Sequence, residues 1–332
     1  MSDNNWRTRA SDEVLLKRAL MLKNIRAFFD AKNVIEVETP LLSHRSTTDP
    51  HLDSLQSRFR ESVCFLNTSP EYAMKRLLAS WKKPIFQICK AFRDDELGTY
   101  HNPEFTLLEW YQPNYDMSQL MAELADLIRF ISHATENLSV SIQPEFEYIS
   151  YQQVFEDTVG IDPHRTTAQK CRTAALAHDV EVPQGLGTDD GELNDWLDWL
   201  LTQLVLPKFN RKGFTFLYDY PASQCSLAKI AENEQKILVA KRFELFFGET
   251  ELANGFHELT DAGEQLSRFK LENQIRQQQG RRCGDIDERL ISALEHGLPD
   301  CSGVAMGLDR LLMVLTEAKA IENVLTFSWQ NA

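Results

Sequence analysis

The stretch 86–111, FQICKAFRDDELGTYHNPEFTLLEWY, limits this chain more than any other. It reads as two strands joined by a charged loop. In the first, Phe86, Ile88 and Phe92 alternate with Gln87, Cys89, Ala91 and Arg93. In the second, Phe105, Leu107, Glu109 and Tyr111 share one face, and Thr106, Leu108 and Trp110 share the other. Period-2 alternation rich in β-branched and aromatic residues predicts strands. A face that presents a ring, a carboxylate and a phenol, beside a strand ending in a guanidinium, makes a poor core. It makes a good floor beneath a flat, charged ligand, such as a nucleotide with an amino acid.

The whole chain sets the bounds. Its 332 residues allow one large domain or two, and a hydrophobic content of 43% is enough for a sizeable core. The start, MSDNNWRTRASDE, is polar and unlike a signal peptide, and no run of 18 apolar residues occurs, so a cytoplasmic protein is expected. The six cysteines (64, 89, 171, 225, 283 and 301) have neither CxxC spacing nor a histidine at metal-site spacing, which argues for reduced thiols. Lys plus Arg is 35 and Asp plus Glu is 49, a net charge of −14. Such a balance speaks against extensive contact with a long polyanion, while leaving room for a local basic patch. Neither a Walker GxxxxGK[ST] nor a GxGxxG is present, so a nucleotide site would be of another kind.

Ser11 is placed to N-cap a helix with Asp12 and Glu13 in its first turn and Leu15, Ala19, Leu22, Ile25 and Phe29 at helical spacing. That helix should stop near Asn33, and VIEVETPLL (34–42) reads as a strand ended by Pro40. A short strand at 64–68 precedes a helix opened by Ser69 and Pro70, with Glu71 in its first turn. An amphipathic helix is expected over 117–133, helices at 151–160 and 190–209, a strand at 214–223, and a hairpin over 241–261 turning near Gly248. The tail, CSGVAMGLDRLLMVL (301–315), should run from a strand through Gly307 into a helix with Arg310 in its first turn.

FRDDE followed by HNPEF is similar to motif 2 of the class II aminoacyl-tRNA synthetases, and HNPEFTLLEWY most resembles the lysyl-tRNA synthetase version. The helix, strand and proline around Pro40 resemble motif 1, which in that family builds a homodimer interface, and 301–315 resembles motif 3. The three motifs stand in order, and the resemblance covers residues 13–328. It implies an α+β fold: an antiparallel sheet flanked by helices, in a single catalytic domain over 1–332. Residues 145–240 would form a helical insert region between motifs 2 and 3.

The resemblance also implies roles. ATP and Mg²⁺ would be the cofactors. Arg93 and Arg310 would serve the phosphates, and Asp94, Asp95, His101, Asn102, Phe105, Glu251, Leu252 and Gly307 would join them around ATP. Phe105 would stack on adenine. Glu244 and Glu251 would hold the metal. Ser69, Pro70, Glu71, Glu109, Tyr111, Asn254, Phe256, Glu258 and Ala305 would surround a lysine-like substrate. So many carboxylates predict a cationic ligand, because buried acids without partners are costly. Strict alternation places Glu251 on the opposite face from Glu258, so both reach one site only if the strand bulges or bends.

Two departures from the pattern matter. The synthetase loop commonly reads RNE, whereas this chain has Arg93-Asp94-Asp95, so either the shorter Asp95 or Glu96 fills the acidic place. Ala305 stands where lysyl-tRNA synthetases usually have glycine, and its methyl should disfavour an α-amino group in favour of an ammonium one carbon away. The core also begins almost at residue 13, with no room for the N-terminal OB-fold that reads anticodons. That architecture resembles a bacterial synthetase paralogue that attaches β-lysine to a lysine of translation elongation factor P, with a protein acceptor in place of tRNA. A truncated synthetase charging tRNA or releasing a free product is a second reading, and an inactive regulatory paralogue is a third.

Overall fold

The computed structural model describes residues 6–94, 96–134 and 144–332. The chain divides into two compact units, one of residues 1–143 with 260–332 and one of residues 144–259. The expected insert region thus falls in the second unit, which continues through the late hairpin.

In the first unit, strands Ile35–Glu36, Ile85–Phe92, Glu104–Pro113 and Cys301–Gly307 lie side by side in that order. The first pair is parallel and the other two are antiparallel. Helix Asp12–Ala31 starts where the sequence indicates: Ser11 Oγ accepts from Val14 N at 3.3 Å, and Asp12 and Glu13 occupy its first turn. It ends with Asn33 at φ +57°. The expected strand over 34–42 survives only as Ile35–Glu36 and Leu42–Ser43. The latter pairs with Ser62–Leu66, which pairs with Gln56–Phe59 in a separate small sheet.

The core of this unit lies on one face of the Glu104–Pro113 strand. Leu108 and Trp110 are fully buried there. Phe29 stacks on Phe86 at 4.5 Å and meets Trp110 edge-on at 5.4 Å. Helix Met117–Ala134 buries Leu120, Leu124 and Ile128. Its Glu123 accepts the Trp110 indole N–H at 3.1 Å and the Gln112 amide at 2.9 Å, so the polar ends of two buried side chains are satisfied. With the even-numbered residues of the strand committed to this core, Phe105, Leu107, Glu109 and Tyr111 are left for the opposite face.

In the second unit, strands Thr250–His257, Leu238–Phe247, Phe214–Pro221 and Phe146–Ser150 lie side by side in that order, with Ile230–Glu232 also on Leu238–Phe247. All pairs are antiparallel except the last, Phe146–Ser150 with Phe214–Tyr218. The fold is therefore α+β with a largely antiparallel sheet that has parallel pairs at two places. Helices Tyr151–Thr158, Ala168–Ala177 and Leu193–Leu200 bring Phe155, Cys171, Trp196 and Leu197 into one apolar cluster with Leu217 and Phe246. Trp199 meets Trp196 edge-on at 5.8 Å, so this pair packs. The hairpin turns at Gly248, whose φ of +54° suits a residue without a β-carbon. The six cysteines are free thiols, and among the described residues no helix is long and apolar enough to cross a membrane.

Candidate active site

In the first unit, register brings candidate residues together. Residues directly opposite on paired strands share a face. Gln87 lies opposite Glu109, and Glu109 lies opposite Ala305, so the three form one row across three strands. The rows beside it are Ile85–Tyr111–Gly303 and Cys89–Leu107–Gly307. The residues at 303, 305 and 307 in these rows carry no side chain larger than a methyl.

Glu109 is 2% exposed and firmly held. Tyr111 Oη donates to its Oε1 at 2.7 Å, and Ser69 Oγ donates to its Oε2 at 3.1 Å. Ser69 Oγ also accepts from Glu71 N at 3.0 Å, which closes the start of helix Glu71–Trp81 after Pro70. One turn on, the buried Lys75 ammonium donates to Glu71 Oε1 at 2.7 Å. Lys75 was not singled out from sequence, yet its i, i+4 spacing from Glu71 is the signal that would have found it. Burial, with the Glu109 charge close by, pushes the Cys89 thiol up to about 12, so this cysteine is a neutral lining group.

The Arg93 guanidinium lies 5.0 Å from the centre of the Phe105 ring. Its backbone N–H donates to Pro103 O at 3.0 Å, which anchors the residue at the strand end. Its Nη1 meets Glu96 Oε1 at 3.3 Å, and its Nε is buried with no hydrogen-bond partner. Among the described residues Glu96 is thus an acid in contact with Arg93; Asp95 lies outside the described residues. The backbone N–H of Asp94 donates to Asp53 O at 2.9 Å.

Arg310 follows Gly307 in the first turn of helix Leu308–Thr316. Its Nη2 meets His101 Nε2 at 2.5 Å, and its Nε donates to Tyr100 O at 3.4 Å. Burial lowers the pKa of His101, with Arg310 and Arg93 adding to the effect and Glu96 opposing it. A neutral imidazole can accept from the guanidinium at that nitrogen. Asn102 has a bracing geometry: its amide donates to Glu104 O at 2.6 Å and its oxygen accepts from Trp329 N at 2.9 Å.

Within the second unit, Glu244, Glu251, Leu252, Asn254 and Phe256 lie on the two hairpin strands, and Glu258 follows directly. Glu244 pairs with Asn254 and Leu245 with Ala253, but Phe246 pairs with Glu251. Leu252 is therefore an extra residue, a bulge that shifts the alternation by one. Glu251 consequently shares a face with Glu244, Asn254, Phe256 and Glu258. The bend on which the sequence was undecided is present, and Leu252 makes it. Asn254 Oδ1 is buried with no hydrogen-bond partner, and Glu258 is 1% exposed.

Glu244 is buried against Arg242, whose guanidinium donates to Glu244 Oε1, donates to Gln224 O at 3.0 Å and lies 4.5 Å from the centre of the Tyr220 ring. Arg242 went unremarked in the sequence because its role depends on side chains brought in from other strands. Among the described residues no group of three or more His, Cys, Asp or Glu gathers as a metal site. Two carboxylates on one hairpin face nevertheless suit Mg²⁺, which is usually held by one or two carboxylates with phosphates and water completing its shell.

The family model of class II tRNA synthetases (D, K and N) matches residues 4–331. Proteins named elongation factor P–(R)-β-lysine ligase are similar over nearly the whole length. The one from Pasteurella multocida is 43% identical over 334 residues, covering 99% of this chain and 98% of the relative. The one from Pseudoalteromonas translucida is 43% identical over 333 residues, covering 98% of each. The one from Haemophilus influenzae is 41% identical over 335 residues, covering 99% of each. On motif order, fold and this match, the chain belongs to the class II tRNA synthetase family.

Proposed function

We propose that this protein activates (R)-β-lysine with ATP and transfers it to the ε-amino group of a lysine of translation elongation factor P. The observation that carries the reading is Glu109, a buried carboxylate held by Tyr111 and Ser69 with the Ala305 methyl beside it. A fixed buried anion calls for a cationic ligand. A methyl at that wall favours an ammonium displaced by one carbon. The names of the relatives supply the acceptor.

No protein nucleophile is required. A substrate carboxylate oxygen attacks the α-phosphorus of ATP, the bond to pyrophosphate breaks, and an acyl-adenylate forms. The acceptor amine then attacks the acyl carbon, the bond to AMP breaks, and the amine loses a proton to solvent. Catalysis rests on positioning and on charge stabilisation. Arg93 is the group for the α-phosphate: its buried Nε has no partner, and a guanidinium can give phosphate two parallel hydrogen bonds. Phe105, with a guanidinium already near its ring, would take adenine. Arg310, oriented by His101, would take the terminal phosphate. Glu71, Glu109, Tyr111, Asn254, Phe256 and Glu258 would receive the amino acid. Glu244 and Glu251 would hold Mg²⁺, which neutralises phosphate charge when bound. A homodimer through the motif 1 segment and a cytoplasmic location complete the reading.

The test offers labelled (R)-β-lysine and Mg-ATP to the purified protein with elongation factor P and total tRNA in one mixture. Label on the factor is expected. Label on tRNA would return the chain to tRNA charging. Label on neither, with α-lysine also inert, would favour an inactive paralogue.

A further inference from the structure

We infer that Gln87 binds the amino-acid substrate, its side-chain oxygen accepting a hydrogen bond from the substrate's β-ammonium. The inference deepens the functional reading above and rests on it.

Gln87 lies directly opposite Glu109, on the flank away from Ala305. Its neighbours Phe86 and Ile88 take the other face of the strand, where Phe86 stacks on Phe29. Gln87 therefore shares the face of Glu109 and Tyr111, although the sequence gives it the look of an ordinary polar strand residue. It is 3% exposed, and its Oε1 is buried with no hydrogen-bond partner. Leaving such an acceptor without a donor costs about 1–3 kcal/mol, so it calls for an explanation. Cys89 lies two positions along the strand, on the same face.

Counting donors supports a ligand at this oxygen. An ammonium carries three N–H groups and no acceptor. The two oxygens of Glu109 already receive Tyr111 and Ser69. A neutral oxygen beside this carboxylate adds an acceptor for an ammonium. A second carboxylate in that place would crowd like charges and favour protonation; an amide avoids this. The flanks then divide the work: the Ala305 methyl closes one side of Glu109, and the Gln87 oxygen receives an ammonium on the other.

The experiment measures binding of (R)-β-lysine by calorimetry, and pyrophosphate exchange, for the full-length protein and two variants. Gln87→Leu removes the acceptor. It should weaken β-lysine binding about 10-fold or more, as for loss of a hydrogen bond to a charged group. The KM for ATP should stay unchanged, and the melting temperature should hold or rise because the orphan oxygen is gone. Gln87→Glu keeps the shape and stays informative if the leucine variant folds poorly. Its β-lysine affinity should acquire a pH dependence that the wild type lacks, which a merely structural residue would not produce. Wild-type affinity in Gln87→Leu, or a wild-type pH profile in Gln87→Glu, would overturn the inference alone. A wild-type protein that fails to bind β-lysine would overturn the functional reading, and this inference with it.

Discussion

Tyr111 Oη lies 2.7 Å from Glu109 Oε1, a phenol holding the carboxylate two positions before it on the same strand. Residues two apart on a strand point the same way, so the contact follows from alternation. Tyr111→Phe removes one hydrogen bond from a charged group while preserving shape. The expected result is a KM for β-lysine raised about 10-fold, with the KM for ATP unchanged, measured by pyrophosphate exchange.

Ala305 sits opposite Glu109 on the neighbouring strand. Ala305→Gly removes the methyl that closes this flank. The ratio of kcat/KM for α-lysine over β-lysine should rise by about 10-fold, the scale of one methyl group in a fitted pocket. An unchanged ratio would detach Ala305 from isomer choice.

Arg93→Lys keeps the charge and loses the planar fork. Adenylate formation should fall about 10²-fold, the scale for one lost donor at a centre where charge develops. Pyrophosphate exchange at saturating lysine reads the effect directly.

Glu272 gives a pH prediction. Burial, aided by the charges of Asp49 and Glu71 and opposed by Thr48 and Arg268, raises its carboxyl from 4.5 to about 7. Its folded pKa lies above its unfolded one, so the folded state binds the extra proton. The associated stability is fully present below pH 4.5 and is lost as pH rises through about 7. At 1.36 kcal/mol per unit this amounts to at most about 3 kcal/mol. Glu272→Gln should therefore flatten the fall in unfolding free energy between pH 5 and pH 8, followed by urea denaturation.

Arg18 bridges distant parts of the first unit. Its Nη1 donates to Asp309 Oδ1 at 2.6 Å and its Nη2 to Thr106 Oγ1 at 2.8 Å, while Asp309 Oδ2 accepts from Thr106 N at 2.7 Å. Asp309 immediately precedes Arg310. Arg18→Ala would leave the buried Asp309 charge without its cation and should cost about 3–5 kcal/mol in urea unfolding.

Much of this protein was legible in the chain itself. The faces of the 85–92 and 104–113 strands, the Ser11 cap and the Gly248 turn each depend on neighbouring residues, and local chemistry is enough to settle them. The motif order pointed to the family. What only the tertiary structure decided depends on register and on partners far apart in sequence. Leu252 becomes a bulge because of how its strand pairs, and that shift moves Glu251 onto the face of Glu258. Asn102, expected near the nucleotide, braces the backbone at Trp329, a partner 227 residues away. Arg18 meets Asp309 across 291 residues. The buried, unpartnered oxygen of Gln87 stands in the row of Glu109 only because the two strands pair in this register. A one-residue change of register reverses which side chains face a ligand, and no local pattern in the sequence records it.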